Sequence, residues 1–342
     1  MKAEKLILNE AREVSLTAYI QETEGEFGFA ERPAMLVLPG GGYVMCSDRE
    51  ADPVALAYAK AGYQTFILRY TVKSKGSWPL PLEDYDRAMA VILEKAGEWH
   101  IAKDKIAVVG FSAGGHLAAC AATLAAHKPA AAILVYPAIL KDIVDMCQPD
   151  MPYPNEHVTP ETCPCFLAAC RDDRTVDIKN TLMMELALAE NGVPFESHIY
   201  SYGGHGFSTA ENWVNTNSVT ERLPGWIDAS IGWLKETLGE LTRTGIGEAN
   251  IAVSKNGDTA PVLSVTCSLA HIRRQGEEVH ALLAPLFDGI QAVADARGYS
   301  VEALMTVIGN NTIREIMEMI QIAPETIQAL DRALHGMVNR LD

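Results

Sequence analysis

The chain has 342 residues, is 48 % hydrophobic and 21 % charged, and carries a formal net charge of −16. So much apolar content excludes a disordered chain, and the length suits one large domain with a smaller appendage. The acidic surplus excludes nucleic acid and anionic membrane surfaces as partners, since both require a basic footprint.

The N-terminus, MKAEKLILNEAREVSL, lacks the basic stretch and long apolar run of a secretory signal. No apolar run approaches the roughly 20 residues needed to span a bilayer. A cytoplasmic location is the expectation. The seven cysteines, Cys46, Cys120, Cys147, Cys163, Cys165, Cys170 and Cys267, are odd in number and irregularly spaced. The C-x-C pair at 163 and 165 has no second pair or histidine cluster to complete a zinc site. Reduced thiols, no metal and no cofactor are therefore expected.

In chain order, REVSLTAYIQE at 12–22 alternates polar and apolar residues and reads as an antiparallel edge strand. Near-continuous apolar runs follow at 33–40, 63–70, 105–111, 130–137, 163–170 and 195–202. Runs of that length and composition suit strands covered on both faces, hence a parallel sheet. Helical segments lie between them at 49–62, 82–96, 112–127 and 176–192, and one more follows at 225–238. The alternation predicts βαβ units with right-handed crossovers, and so a doubly wound, mostly parallel α/β domain over 1–242.

Beyond this the pattern changes. RTGIGEAN reads as a linker, and Asn256-Gly257 between two β-like runs predicts a hairpin. Helices are expected at 277–297, 300–309 (with Ser300 as N-cap), 313–322 and 324–341. Residues 243–342 thus form a mostly helical accessory region without legible chemistry. It is a candidate surface for homodimer formation or for covering an active-site mouth.

The stretch VVGFSAGGH at 108–116 places Ser112 between Gly110 and Gly114, where a buried strand turns into a helix. A sharp strand-to-helix turn holds its first residue in a strained conformation and lifts that side chain above the sheet. The flanking positions crowd each other and favour glycine, and the helix N-terminus offers amides to whatever sits on the serine. This is the G-x-S-x-G pattern of a nucleophilic serine.

A serine hydroxyl near pH 7 needs a base, and the base needs an orienting acid. In this architecture the chain order is serine, acid, histidine, each on a loop beyond a strand. His205, in YSYGGHGF, is the one histidine of nine in such a loop. His198 falls inside a strand, and His116, one turn after the serine, has a packing role. The acid is Asp172 or Asp173 in CRDDRTVD, and spacing does not separate them; the other is free to pair with Arg171 or Arg174. Developing oxyanion charge requires preorganised N–H donors, each contributing about 3–4 kcal/mol. Ala113 is expected to supply one, and the Gly40-Gly41-Gly42-Tyr43 turn after the first core strand the other.

With these motifs assembled, the sequence resembles the α/β-hydrolase superfamily over residues 15–240. It is most similar to bacterial esterases and acetylesterases related to hormone-sensitive-lipase-like and acetyl-xylan-esterase-like proteins. The likeness rests on LPGGGYVMCSDRE, RYTVKSKGSWPLPLEDYDRAMAVI, VVGFSAGGHLAA, FLAACRDDRTVDIKN and YGGHGFS. The family's D-x-x-V-P pattern selects Asp173, although Asp177 stands where proline is usual. Pro39 likewise replaces the histidine of the family's H-G-G-G loop.

The resemblance implies hydrolysis of carboxylic esters with short acyl groups through an acyl-enzyme, acetylated sugars or oligosaccharides being one substrate class. It also implies a structural role for Asp84 or Asp86. Tyr43, Trp78, Phe207 and Trp213 are the aromatics expected near the mouth. An aryl-formamidase or peptidase on the same three residues is the rival enzyme, and a catalytically dead binding protein the non-enzymatic rival.

Overall fold

A computed structural model describes residues 1–23, 28–215, 221–250, 257–260 and 262–340. The backbone divides into two compact units, Met1–Ser254 and Lys255–Asp342. The first is built on eight strands: β1 (Lys2–Asn9), β2 (Val14–Ile20), β3 (Arg32–Leu38), β4 (Gln64–Arg69), β5 (Ile101–Phe111), β6 (Ala131–Val135), β7 (Cys165–Cys170) and β8 (Phe195–Tyr200). Their order in the sheet is β1-β2-β4-β3-β5-β6-β7-β8. β2 pairs antiparallel with both β1 and β4, and the remaining pairings, from β4 to β8, are parallel.

Alternate residues of each central strand feed two separate cores, as the two-residue period of a strand requires. On β3, Ala34, Leu36 and Leu38 face one side and Met35 and Val37 the other. The first side is covered by α2 (Leu80–Glu94), α3 (Ala113–Thr123) and α5 (Lys179–Glu190); the second by α1 (Asp52–Lys60) and α6 (Gly225–Leu238). Each large aliphatic side chain withdrawn from water this way contributes about 1.5–3 kcal/mol. A further helix, α4 (Lys141–Cys147), lies between β6 and β7.

The structure departs from the sequence reading at the sheet edge. Residues 12–22 do form an antiparallel strand, but β1 lies outside β2 and is the true edge. The expected helix at 49–62 is also divided: Asp48–Glu50 form a 3₁₀ turn and α1 begins at Asp52, with Pro53 in its first turn. Residues after α6 include a two-residue antiparallel pair, β9 (Leu241–Thr242) with β10 (Gly245–Ile246), within the first unit.

The second unit has its own apolar core, with Leu263, Val265, Leu269, Ile290, Ile313 and Leu334 at its centre. Its helices are α7 (Leu269–Ile272), α8 (Glu277–Leu282), α9 (Ala284–Arg297), α10 (Val301–Ile308), α11 (Ile313–Met319) and α12 (Pro324–Leu334). The single helix expected at 277–297 is two helices, with Pro285 in the first turn of the second. Ser300 caps α10 by accepting the Ala303 amide, and Thr312 with Glu315 forms a reciprocal capping box on α11. The hairpin expected at Asn256-Gly257 lies largely outside the described residues, and Gly257–Thr259 form a 3₁₀ turn. Leu341, the last residue of the expected terminal helix, is also outside them. No helix of the described residues is long and apolar enough to cross a membrane.

Candidate active site

Ser112 sits between the last residue of β5 and the first of α3, with φ 52° and ψ −114°. Few side-chain-bearing residues adopt such a backbone, and it turns the serine out above the carboxyl ends of the strands. Two close approaches hold the turn. A Cβ on Gly110 would lie 2.1 Å from the Gly114 carbonyl oxygen, and one on Gly114 would lie 2.1 Å from that of Leu38. The second contact adds to the sequence reading: Gly114 lets α3 approach the end of β3 and the Pro39–Gly42 turn. It does not merely clear Gly110.

The loop beyond β8 brings His205 over the serine. The Ser112 hydroxyl lies 2.9 Å from His205 Nε2, and His205 Nδ1 lies 2.6 Å from Asp173 Oδ2. A carboxylate only accepts, so Nδ1 carries the proton and Nε2 is left to receive the serine proton. Asp173 is fixed in turn, its Oδ1 accepting the amides of Thr175 at 2.8 Å and Val176 at 2.9 Å. Its side chain is 2 % exposed and that of His205 18 %. Asp172 points elsewhere and accepts the Gly204 amide at 3.0 Å, bracing the histidine loop from below. Of the two carboxylates, Asp173 is the one hydrogen-bonded to the His205 ring.

The turn after β3 reaches the same place. Gly41 and Gly42 have φ of 127° and 62°, and among the described residues their amides and that of Ala113 donate to no backbone carbonyl. Tyr43 closes the turn. Its hydroxyl donates to Nδ1 of buried His116 at 2.8 Å, and His116 Nε2 donates to the Pro152 carbonyl at 2.9 Å. Burial pushes the His116 imidazole down to about 4, so it stays neutral and serves as a packing and tethering residue.

A cavity of about 370 Å³ opens beside Ser112 and His205, bordered by Gly41, Gly42, Met45, Ile143, Met146 and Val176 among others. The four expected mouth aromatics do not border it. Tyr43 and Phe207 are buried in the core, Phe207 against Tyr136 with ring centres 4.5 Å apart. Trp78 lies edge-on to His116. Trp213, 73 % exposed, lines a separate groove of about 580 Å³ between α1 and α6. Aromatic residue type flagged these positions, but three of the rings serve packing and the fourth sits on another face. Missed altogether was Glu50, buried at the floor of the cavity and held by Tyr136 and Gly40. Its place in the charged run SDRE gave no sign of burial.

A structural role was expected for Asp84 or Asp86, and both accept hydrogen bonds from other segments. Asp84 accepts from Arg12 at 2.7 Å and from the Thr71 amide at 2.8 Å, and Asp86 accepts the His127 amide at 2.9 Å.

The BD-FAE family model matches residues 26–136. Among curated proteins, endo-1,4-beta-xylanase B of Butyrivibrio fibrisolvens is 30 % identical over 231 residues, 58 % of this chain and 35 % of that protein. Acetylxylan esterase of Xylanibacter ruminicola is 26 % identical over 219 residues, 57 % of this chain and 45 % of that protein. The chain therefore spans less than half the length of these curated relatives. A solved structure matches far more completely: MGS-M1, an alpha/beta hydrolase enzyme from a Medee basin deep-sea metagenome library. It is 37 % identical with a TM-score of 0.64, and the match covers 69 % of this chain and 97 % of that one. A 37 % identity sustained over nearly a whole solved chain, on the same mostly parallel sheet, makes this protein a member of the α/β-hydrolase family.

Proposed function

We propose that the chain hydrolyses carboxylic esters with short acyl groups, acetylated carbohydrates among them, through an acyl-enzyme on Ser112. The observation that carries the reading is the unbroken hydrogen-bond line from the Ser112 hydroxyl through His205 to Asp173. Ser112 Oγ attacks the ester carbonyl carbon while His205 Nε2 takes its proton, and the tetrahedral oxyanion collapses as the same proton passes to the leaving alcohol. Water then repeats the cycle: its proton goes to Nε2, its oxygen attacks the acyl carbon, and the proton returns to Ser112. Asp173 keeps the imidazole in the productive tautomer and stabilises it when charged. The amides of Gly41, Gly42 and Ala113 are the donors proposed for the oxyanion.

The apolar side chains of Met45, Ile143, Met146 and Val176 beside Ser112 suit an acyl group, and the acetylxylan esterase relative supports an acetyl group on a sugar alcohol. A panel of p-nitrophenyl acetate, butyrate and octanoate, acetylated xylo-oligosaccharides, an N-formyl arylamine and a dipeptide tests it, with S112A as control. The expected result is preference for acetyl esters and abolition in S112A. Turnover of only the formyl or peptide substrate establishes the rival enzyme, and absence of labelling by a fluorophosphonate establishes the dead scaffold.

The accessory unit, residues 243–342 in the sequence reading, is proposed as a homodimer contact. Sedimentation of the full chain beside a chain ending at residue 254 tests that, an unchanged monomer in both ruling it out.

A further inference from the structure

A second buried carboxylate stands behind the site, and the mechanism above does not use it. Glu50 is 4 % exposed. Its Oε2 accepts the Gly40 amide at 2.8 Å, and its Oε1 accepts the Tyr136 hydroxyl at 2.6 Å. These partners belong to the two loops that ester hydrolysis must hold in register. Gly40 opens the Gly41-Gly42 turn and lies so near the nucleophile that a Cβ there would stand 3.1 Å from the Ser112 Cβ. Tyr136 packs edge-on against the His205 ring, centres 4.8 Å apart, and its oxygen accepts the Ser208 amide at 3.0 Å from the histidine loop. The Ser47 amide returns to the Gly40 carbonyl at 2.9 Å, and the Ser208 hydroxyl donates to the Arg49 carbonyl. The 48–50 turn therefore touches both loops.

We propose that Glu50 is a positioning residue for ester hydrolysis: its carboxylate clamps the Gly40 turn and Tyr136, and so holds the turn beside Ser112 in register with the His205 loop. The inference rests on the reading of Ser112, His205 and Asp173 as the hydrolytic residues. Both Glu50 oxygens face donors, which is the pattern an ionised carboxylate satisfies and a protonated one does not. Burial raises its carboxyl above the usual range, while Tyr136, the Gly40 amide and the His205 charge draw it back.

The test compares wild type, E50Q and E50D for p-nitrophenyl acetate hydrolysis across pH, with melting temperature and fluorophosphonate labelling in parallel. E50Q orphans a donor whichever way its amide turns and loses the charge. Its kcat should fall about 10- to 100-fold with KM nearly unchanged. E50D keeps both acceptor oxygens but not the reach, so its kcat should lie between those of E50Q and wild type. An E50Q protein with wild-type kcat overturns the proposal, as does an E50Q loss that falls in KM rather than in kcat. Should E50Q fail to fold, the E50D kcat alone decides, and a wild-type value overturns the proposal. Wild-type protein that neither turns over esters nor labels overturns the hydrolase reading itself, a distinct result from an active wild type with indifferent Glu50 variants.

Discussion

Asp173 meets the His205 imidazole at 2.6 Å, while its neighbour Asp172 spends its carboxylate on the Gly204 amide at 3.0 Å. On the proposed mechanism, two adjacent acids thus divide orientation of the base from bracing of its loop. Asp173→Asn offers the ring a group that can pair with the wrong tautomer, so kcat should fall about 10⁴-fold. Asp172→Asn keeps an oxygen for the Gly204 amide and should cost less than about tenfold. Steady-state rates on p-nitrophenyl acetate check both; equal losses would contradict the division of labour.

The same pair shows how far the sequence could be read. Core strands such as Met35–Leu38 were legible because burial on both faces makes them continuously apolar. The edge strand β1 was not: Lys2, Glu4 and Lys5 fill its first half and leave only the short apolar run Leu6–Leu8, as suits an exposed rim, and no core signal results. Ser112 and His205 were legible from glycine punctuation beyond buried strands. Which of Asp172 and Asp173 meets His205 depends on the direction of a side chain, which residue spacing does not encode. Glu50 was hidden for a related reason, since tertiary contacts from Gly40 and Tyr136 make its burial tolerable and no local pattern announces them.

Arg12 and Thr71 converge on Asp84, which is 3 % exposed. Asp84→Ala leaves the guanidinium and the Thr71 amide without their acceptor, so stability should drop by about 3–5 kcal/mol. Chemical denaturation should register that loss, while kcat per folded molecule stays near wild type. A large fall in kcat at full folding would instead give Asp84 a role at the site.

His116 makes native stability depend on pH. Its imidazole falls from an ordinary 6.5 to about 4 through burial. Between those values the unfolded chain binds a proton that the folded protein refuses, so stability is lost as pH falls through that window. The loss approaches about 3 kcal/mol at its lower end. Glu50 acts in the opposite sense, because burial raises its carboxyl and the folded state holds that proton more firmly. His116→Gln keeps a donor and an acceptor but cannot titrate. Urea midpoints at pH 7 and pH 5 should therefore lie closer together in the variant than in wild type, and an equal separation would rule out His116 as a source of the acid sensitivity.

The acyl preference should reside in α4. Ile143, Met146 and Cys147 form one side of the cavity next to Ser112, with Met45 and Val176 among its other walls. An acyl chain directed at this wall meets these side chains, and each methylene so affected is worth about 1–3 kcal/mol of discrimination. Ile143→Ala removes wall volume without touching Ser112, His205 or Asp173. The ratio of kcat/KM for the hexanoate ester to that for the acetate ester should rise about tenfold or more, chiefly through better use of the longer chain. Met146 is 67 % exposed, so Met146→Ala should change the ratio less than Ile143→Ala. Were the two substitutions to leave the ratio untouched, the acyl group would have to lie on the other side of Ser112, toward Thr175 and Gly206.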